Sequence, residues 1–308
     1  MHPITYKQSG VDVEKTDNLL KDISHYVSDT KGFGGLYESK KHYLVGATDG
    51  VGTKIILARK FKMLHGIGID LVAMCANDII CTGAKPLFFL DYYASSNINR
   101  EEYLAVLESI KIGCDKARMV LLGGETAELP GMFGNENFDV AGFCLGKVKK
   151  KKLITGDSIE SGDVIIGLHS NGFHSNGYSL IRSWKNYCDH YKELLRPTTI
   201  YVKAIRKLKK YVPIKGIAHI TGGGFNNIDR IIPISLSKKL TTVDRFYTPA
   251  MSAIKDDMGL SDKEMHNTFN CGIGMVVVVS PEQTTLALNT LLSSGYGADI
   301  IGEINEKS

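Results

Sequence analysis

Short apolar runs that break into glycine and then into a polar or acidic residue recur along this chain, and no other feature restricts its fold as tightly. Many of the 32 glycines fall at such junctions between strand-like and helix-like stretches. There a backbone without a Cβ can turn sharply and bring its amides close to a ligand. The periodicities predict strands near 42–47, 86–93, 119–122 and 139–148, with helices near 66–81 and 100–117. A second series begins with a strand at 163–168. Helices near 177–189 and 198–209, strands at 217–221 and 272–279, a helix near 283–294 and a strand at 298–304 follow. This is a mixed α/β chain in two halves. A lysine run (Lys147 and 149–152) and the polar stretch 155–162 put the boundary at 155, giving domains 1–155 and 156–308. At 308 residues and 43% hydrophobic content, each half can bury a core.

A net charge of +4 is too mild and mixed for a nucleic-acid binder. The cysteines at 75, 81, 114, 144, 188 and 271 show no CxxC spacing and read as reduced, mostly buried thiols. Residues 1–14 carry no apolar leader core, and the apolar stretch 273–279 is too short to span a bilayer. A cytoplasmic protein without membrane or nucleic-acid partners is expected. Neither a Walker A sequence nor a strand-following GxGxxG occurs, so any nucleotide is held by another cradle.

Several segments could form that cradle. Ala47-Thr48-Asp49-Gly50-Val51-Gly52-Thr53-Lys54 leaves an apolar strand. A carboxylate, two glycines and a lysine at a strand end suit a magnesium phosphate, although a tight turn with an exposed Asp-Gly pair reads equally well. In the helix-like stretch from Gly66 to Asp78, Asp70 and Asn77 lie about 20° apart and Asp78 borders their face. The surrounding residues are apolar, so a cation or a lysine should sit opposite the acids. Gly123-Gly124-Glu125-Thr126-Ala127-Glu128 presents Glu125 at another strand end, while Glu128 reads as a cap. Three acidic segments on separate elements suggest one convergent magnesium site. Gly32-Phe33-Gly34-Gly35 is a glycine loop that reads as a linker or a lid.

In the second half, His169-Ser170-Asn171-Gly172 recurs as His174-Ser175-Asn176-Gly177 before a predicted helix. Its hydroxyls and amides suit an anion, or simply cap that helix. Thr221-Gly222-Gly223-Gly224, after His219, forms a further glycine cradle, and Thr268-Phe269-Asn270-Cys271-Gly272 enters the next strand.

Taken in order, from Tyr6-Lys7-Gln8-Ser9-Gly10-Val11-Asp12 to about Ile301, and including Phe88-Phe89-Leu90-Asp91-Tyr92-Tyr93 and Asp139-Val140-Ala141-Gly142-Phe143, these segments resemble the phosphoribosylformylglycinamidine cyclo-ligase family. The resemblance implies a dimer whose N-terminal strands close into a barrel across the two subunits, with a sandwich-like α/β C-terminal domain. It implies ATP-driven closure of formylglycinamidine ribonucleotide to aminoimidazole ribonucleotide, with ATP and Mg2+ as cofactors. It assigns Asp49, Asp78 and Glu125 to the metal. Lys54, Asp49, His174 and His219 become catalytic residues, with Lys54 facing the transferring phosphoryl group and the histidines moving protons. Gly32, Gly34, Gly35, Gly50, Gly52, Thr53, Lys54, Asp70, Asn77, Gly123 and Gly124 become ATP contacts. Ser175, Asn176, Gly177, Thr221, Gly222, Gly223 and Gly224 become substrate contacts. The chain looks compressed near 234–251, where peripheral elements are expected to be missing, and His266 stands where an aromatic residue is expected.

Weaker likeness extends to the hydrogenase maturation dehydratase, selenophosphate synthetase and thiamine monophosphate kinase. The first needs a C-terminal cysteine, which this chain lacks, and the second a reactive residue in an N-terminal segment where residues 1–74 hold no cysteine. The kinase is not expected to carry the 174–180 segment. A nucleotide-binding protein without turnover is the remaining alternative.

Overall fold

The computed structural model describes residues 32–133, 138–241 and 243–307. The resembling segment at 6–12 lies outside them. The first half forms a five-stranded sheet from β1 (Gly35–Glu38), β2 (His42–Gly50), β3 (Lys85–Ser95), β4 (Val120–Glu128) and β5 (Phe138–Lys149), in the order β1-β2-β5-β3-β4. All neighbours are antiparallel except β3 and β4. Strict alternation along β5 shows how one face is chosen. Val140, Gly142, Cys144, Gly146 and Val148 turn inward, while Asp139, Phe143, Lys147 and Lys149 turn outward. Two helices, α2 (Ile67–Cys81) and α3 (Arg100–Ala117), cover the inward face; α1 (Lys54–Lys60) precedes them. The α2 and α3 backbones nearly touch, since a Cβ on Gly68 would lie 2.2 Å from the Ile110 nitrogen.

The second half forms an antiparallel sheet from β6 (Val164–His169), β7 (Gly216–His219), β8 (Leu236–Leu240), β9 (Ile273–Val279) and β10 (Ala298–Glu306), ordered β7-β9-β6-β10-β8. Short helices α4 (Tyr178–Ile181) and α5 (Tyr191–Leu194) follow β6. The longer α6 (Val202–Tyr211), α7 (Pro249–Met258), α8 (Asp262–Thr268) and α9 (Thr284–Leu292) complete the chain. Every residue of β9 is buried, which explains its unbroken apolar run.

Helix α2 holds the two halves together, because it packs on β2 and β5 on one side and on β7 on the other. It therefore has no solvent face, and 14 of its 15 residues are buried. Its stretch Leu64–Cys81 is long and apolar enough to cross a membrane, but 89% of that stretch is buried inside the protein. This is a core helix. Of the six cysteines, which are all free, five are buried and Cys188 is exposed.

Two expectations need correction. The helix predicted over 177–189 ends at Ile181, because the chain turns to let Trp184 Nε1 and Asn186 Nδ2 both donate to Asp257 Oδ2. The helix predicted from 198 begins at Val202, since residues 198–201 are bound to α2 instead. The region 234–251 carries β8 and the start of α7.

Candidate active site

The cleft between the two halves, about 510 Å³, is walled by the 49–53 loop at the end of β2, by Met74 of α2, and by residues 175–179 and Thr221-Gly222 of the second half. Four segments of the sequence pattern thus meet in one place. Gly50, Gly52 and Thr53 supply backbone to one wall. The hydroxyls of Thr53 and Ser179 face each other at 3.5 Å across the cleft. Gly177 must be glycine, because it takes φ +79° and a Cβ there would lie 2.3 Å from the Phe269 ring. Asn176 turns its carboxamide oxygen toward Gly222, which a Cβ would approach to 3.3 Å. The helix that follows is only four residues long, so side-chain hydroxyls and the carboxamide, more than a helix dipole, give this wall its polarity.

Asp49 lies at the rim, where its carboxylate accepts from the Gly50 amide at 2.8 Å. Burial, reinforced by the nearby Asp78 carboxylate, pushes its pKa up to about 6. Asp78 in turn accepts from His219 Nδ1 at 2.8 Å. The Asn77 oxygen accepts from the Tyr201 amide, which fixes the carboxamide with its nitrogen toward Thr199 O (2.9 Å) and His219 Nε2 (3.3 Å). Nε2 is then an acceptor, so the imidazole proton sits on Nδ1 and is donated to Asp78. His219 is fully buried and positions a carboxylate. The expectation that it shuttles protons to a substrate does not match this geometry.

The same correction applies to Lys54, Asp70, Asn77 and His174. The Lys54 ammonium points away from the cleft and spends its three protons on Asp70 Oδ1 (2.9 Å), His174 O (2.8 Å) and Arg196 O (2.8 Å). Asp70 Oδ1 also accepts from the Thr198 amide (2.7 Å) and hydroxyl (2.6 Å). Asp70 Oδ2 has no hydrogen-bond partner, yet it lies 2.9 Å from Lys54 Nζ and is compensated by that charge. Lys54 and Asp70 are both fully buried, and burial draws the lysine pKa below its ordinary value against the pull of Asp70. The lysine opposite the acids, anticipated from the apolar surroundings, is Lys54 itself. His174 is buried at φ +59°, with Nε2 accepting from the Thr199 amide at 3.4 Å; burial pushes its pKa well down. These side chains form a buried polar seam that fastens residues 196–201 to α1 and α2.

The predicted convergence of three carboxylates does not occur within one chain. Across the sheet, Asp49 shares a row with Gly142, Asp91 and Gly124, so β4 lies three strand spacings, roughly 14 Å, from Asp49. Glu125, one residue on, points to the opposite face. Among the described residues, no group of three His, Cys, Asp or Glu is arranged to hold a metal. Gly123 and Gly124 are likewise outside the cleft, and Gly124 packs on Asp91, whose carboxylate a Cβ would approach to 2.5 Å. Gly34 is pressed against Val45 at the start of β1, where Gly35 pairs with Gly46; neither glycine, nor Gly32 before them, lines the cleft. Gly223 faces open space, while Gly224 is fixed against the His266 carbonyl. Glu128 accepts from the Ile98 amide, one residue before α3's N-cap, which is Asn99.

Comparison with known proteins decides the family. Residues 34–148 match the model of the AIR synthase related protein N-terminal domain, and residues 160–308 match that of its C-terminal domain. The phosphoribosylformylglycinamidine cyclo-ligase of Alkaliphilus oremlandii is 43% identical over 98% of this chain and 97% of its own length. That of a Thermoanaerobacter species is 44% identical over 98% of each chain. The chain belongs to the phosphoribosylformylglycinamidine cyclo-ligase family. Its fold also resembles Escherichia coli HypE, a hydrogenase maturation protein (TM-score 0.65, 17% identity, 97% of this chain and 84% of that one). Thiamine monophosphate kinase from Aquifex aeolicus is similar too (TM-score 0.66, 14% identity, 97% of each chain). At such identities these two speak for the fold alone.

Some residues of this cyclo-ligase family member escaped the sequence reading. Thr198 and Tyr201, which receive α2, carry no motif. Their signal was indirect: a buried acid and a buried amide on an apolar helix require partners from elsewhere in the chain. His266, standing in for an aromatic residue, packs edge-on against Phe225 with centroids 5.5 Å apart.

Proposed function

We propose that the cleft carries out ATP-driven closure of formylglycinamidine ribonucleotide to aminoimidazole ribonucleotide, releasing ADP and phosphate. The observation that carries this reading is full-length identity of 43–44% to cyclo-ligases in a chain whose two halves meet at a glycine- and hydroxyl-lined cleft. ATP phosphorylates the formyl amide oxygen. A nitrogen of the amidine side then attacks that carbon, the ring closes and phosphate leaves. Such chemistry asks for positioning and charge neutralisation and needs no covalent nucleophile. Gly50, Gly52 and Thr53 offer amides and a hydroxyl to the phosphates. Ser175, Asn176, Gly177, Thr221 and Gly222 hold the ribonucleotide.

Asp49 and Asp78 fit a divalent cation. Asp49 at the cleft rim is opposed in its charge by burial and by the nearby Asp78 carboxylate, an arrangement that a cation beside Asp49 would relieve. Bound Mg2+ would neutralise charge developing on the transferring phosphoryl group. Asp49 offers the oxygen not held by Gly50, and His219 and Asn77 keep Asp78 in place.

The outward face of the first sheet supports a dimer closed through its strands. Tyr37 (70% exposed), Val120 and Leu122 (61% each), with Tyr92 and Phe143, form an apolar face that no described element covers. Glu125 stands on this face, so a metal role for it would operate across the subunits. We place the domain boundary at 155, a reading that the gap between the two matched regions supports, and the protein in the cytoplasm. The test is ADP release by the purified protein with formylglycinamidine ribonucleotide, together with sedimentation. ADP release only with thiamine monophosphate would overturn the substrate, and a species of about 33.8 kDa at micromolar concentration would overturn the dimer.

A further inference from the structure

On the side of α2 away from the cleft lies a groove that the proposed reaction leaves unused. One cavity of about 570 Å³ is lined by Lys116, Arg118 and Lys203, with Ile69 and Tyr296 as an apolar wall. A second, about 190 Å³, continues from it, sharing Arg118 and Lys203 and adding Arg206, Lys207 and Lys210. No acidic side chain lines either cavity.

Helix α6 explains the charge. Its inner side buries Val202, Ile205 and Leu208, which leaves Lys203, Arg206, Lys207 and Lys210 stacked at i, i+3, i+4 and i+7 on the groove side. The helix contains no acid to offset them. Like charges at this spacing oppose helix formation. Among the described residues, Lys116, Arg118, Lys203, Arg206 and Lys210 enter no salt bridge. Arg118 ends α3 in the left-handed conformation (φ +56°), where glycine would be the least strained residue. The conformation leaves its guanidinium lining both cavities, opposite α6.

We propose that this groove is an accessory site for a nucleoside di- or triphosphate. From Lys203 to Lys210 the helix rises about 10 Å, too long for one phosphate and suited to two or three. Arg118 provides a planar donor fork for phosphoryl oxygens, and Tyr296 and Ile69 give the nucleoside an apolar surface. The groove shares a wall with the buried seam: Thr198 lines it, and the Thr198 hydroxyl lies 3.0 Å from that of Ser175 in the cleft. An occupant here abuts the segment that positions the cleft.

Equilibrium dialysis of the full-length protein with radiolabelled ADP tests this. The charge-reversed double variant K203E/R206E should bind one fewer ADP per chain than the wild type, and the milder K203Q/R206Q should weaken that binding at least 10-fold. Both should keep the wild-type circular dichroism and rate of ADP release. Equal stoichiometry in all three proteins overturns the proposal. Two further arms separate the sources of the oligophosphate. Variant-sensitive binding of inorganic tripolyphosphate without binding of the extra ADP overturns the nucleoside part. Variant-sensitive binding of a single-stranded RNA 20-mer without the extra ADP makes the groove a nucleic-acid surface and overturns it entirely.

Discussion

The hexapeptide from Asp49 to Lys54 begins in one environment and ends in its opposite. Asp49 sits at the rim of an open cleft beside a second carboxylate, and burial there works against its charge. Five residues later Lys54 is sealed in a seam where each of its protons has an acceptor. The first arrangement is incomplete without a ligand; the second is complete without one. Polar groups that a sequence motif lists together therefore divide into those held available for chemistry and those consumed in building the site.

The contrast breaks most readily at the seam. Removing one partner of a buried ion pair leaves the other uncompensated, so Asp70→Ala should cost about 3–5 kcal/mol of unfolding free energy. Urea denaturation giving a loss below about 1 kcal/mol would mean that the seam fastens nothing. Asp49→Asn should behave in the opposite way, reducing turnover by about 10²-fold or more while leaving stability equal or slightly higher, because a carboxyl that resists ionisation has been removed. A stability loss without a rate loss would return Asp49 to an ordinary turn residue.

Asn176→Ala sharpens the division inside the cleft. Losing one hydrogen bond to a charged ligand costs about 1.5–3 kcal/mol, so ribonucleotide affinity should fall roughly 10- to 150-fold while affinity for an ATP analogue is kept. The reverse pattern in calorimetric titrations would exchange the two halves of the site. The smallest effect concerns pH. The folded protein holds the Asp49 proton up to about pH 6, well above the ordinary 3.8, so the ligand-free fold loses stability as pH rises through that window. Magnesium bound as proposed would have to displace this proton, so its apparent affinity should rise about 10-fold between pH 5 and pH 7, and Asp49→Asn should flatten that dependence. A flat profile in the wild type would remove Asp49 from the metal.

How far the sequence could be read depended on which contacts were local. Strand β5 and helix α3 were legible because alternation and heptad-like spacing act within a dozen residues. The capping box of α8, where Ser261 and Glu264 bond each other's backbone, is local too, yet that helix escaped notice because it is only seven residues long. Strand β4 runs to Glu128, beyond the predicted end at 122, because parallel pairing with β3 satisfies a glycine-rich backbone that has little strand propensity of its own.

By itself the sequence determined the glycine positions that turn the chain, the α/β alternation, and the family to which the chain is similar. It also required that Asp70 and Asn77, set in an apolar helix, find partners. Only the tertiary structure decided what those partners are. Lys54, Thr198, Thr199 and Tyr201 reach them because α2 is clasped between two sheets, and no periodicity of a single helix shows that both of its sides are covered. The placement of Glu125 was decided in the same way. Its distance from Asp49 is set by strand order and its face by register, and these depend on pairings between residues far apart in the chain.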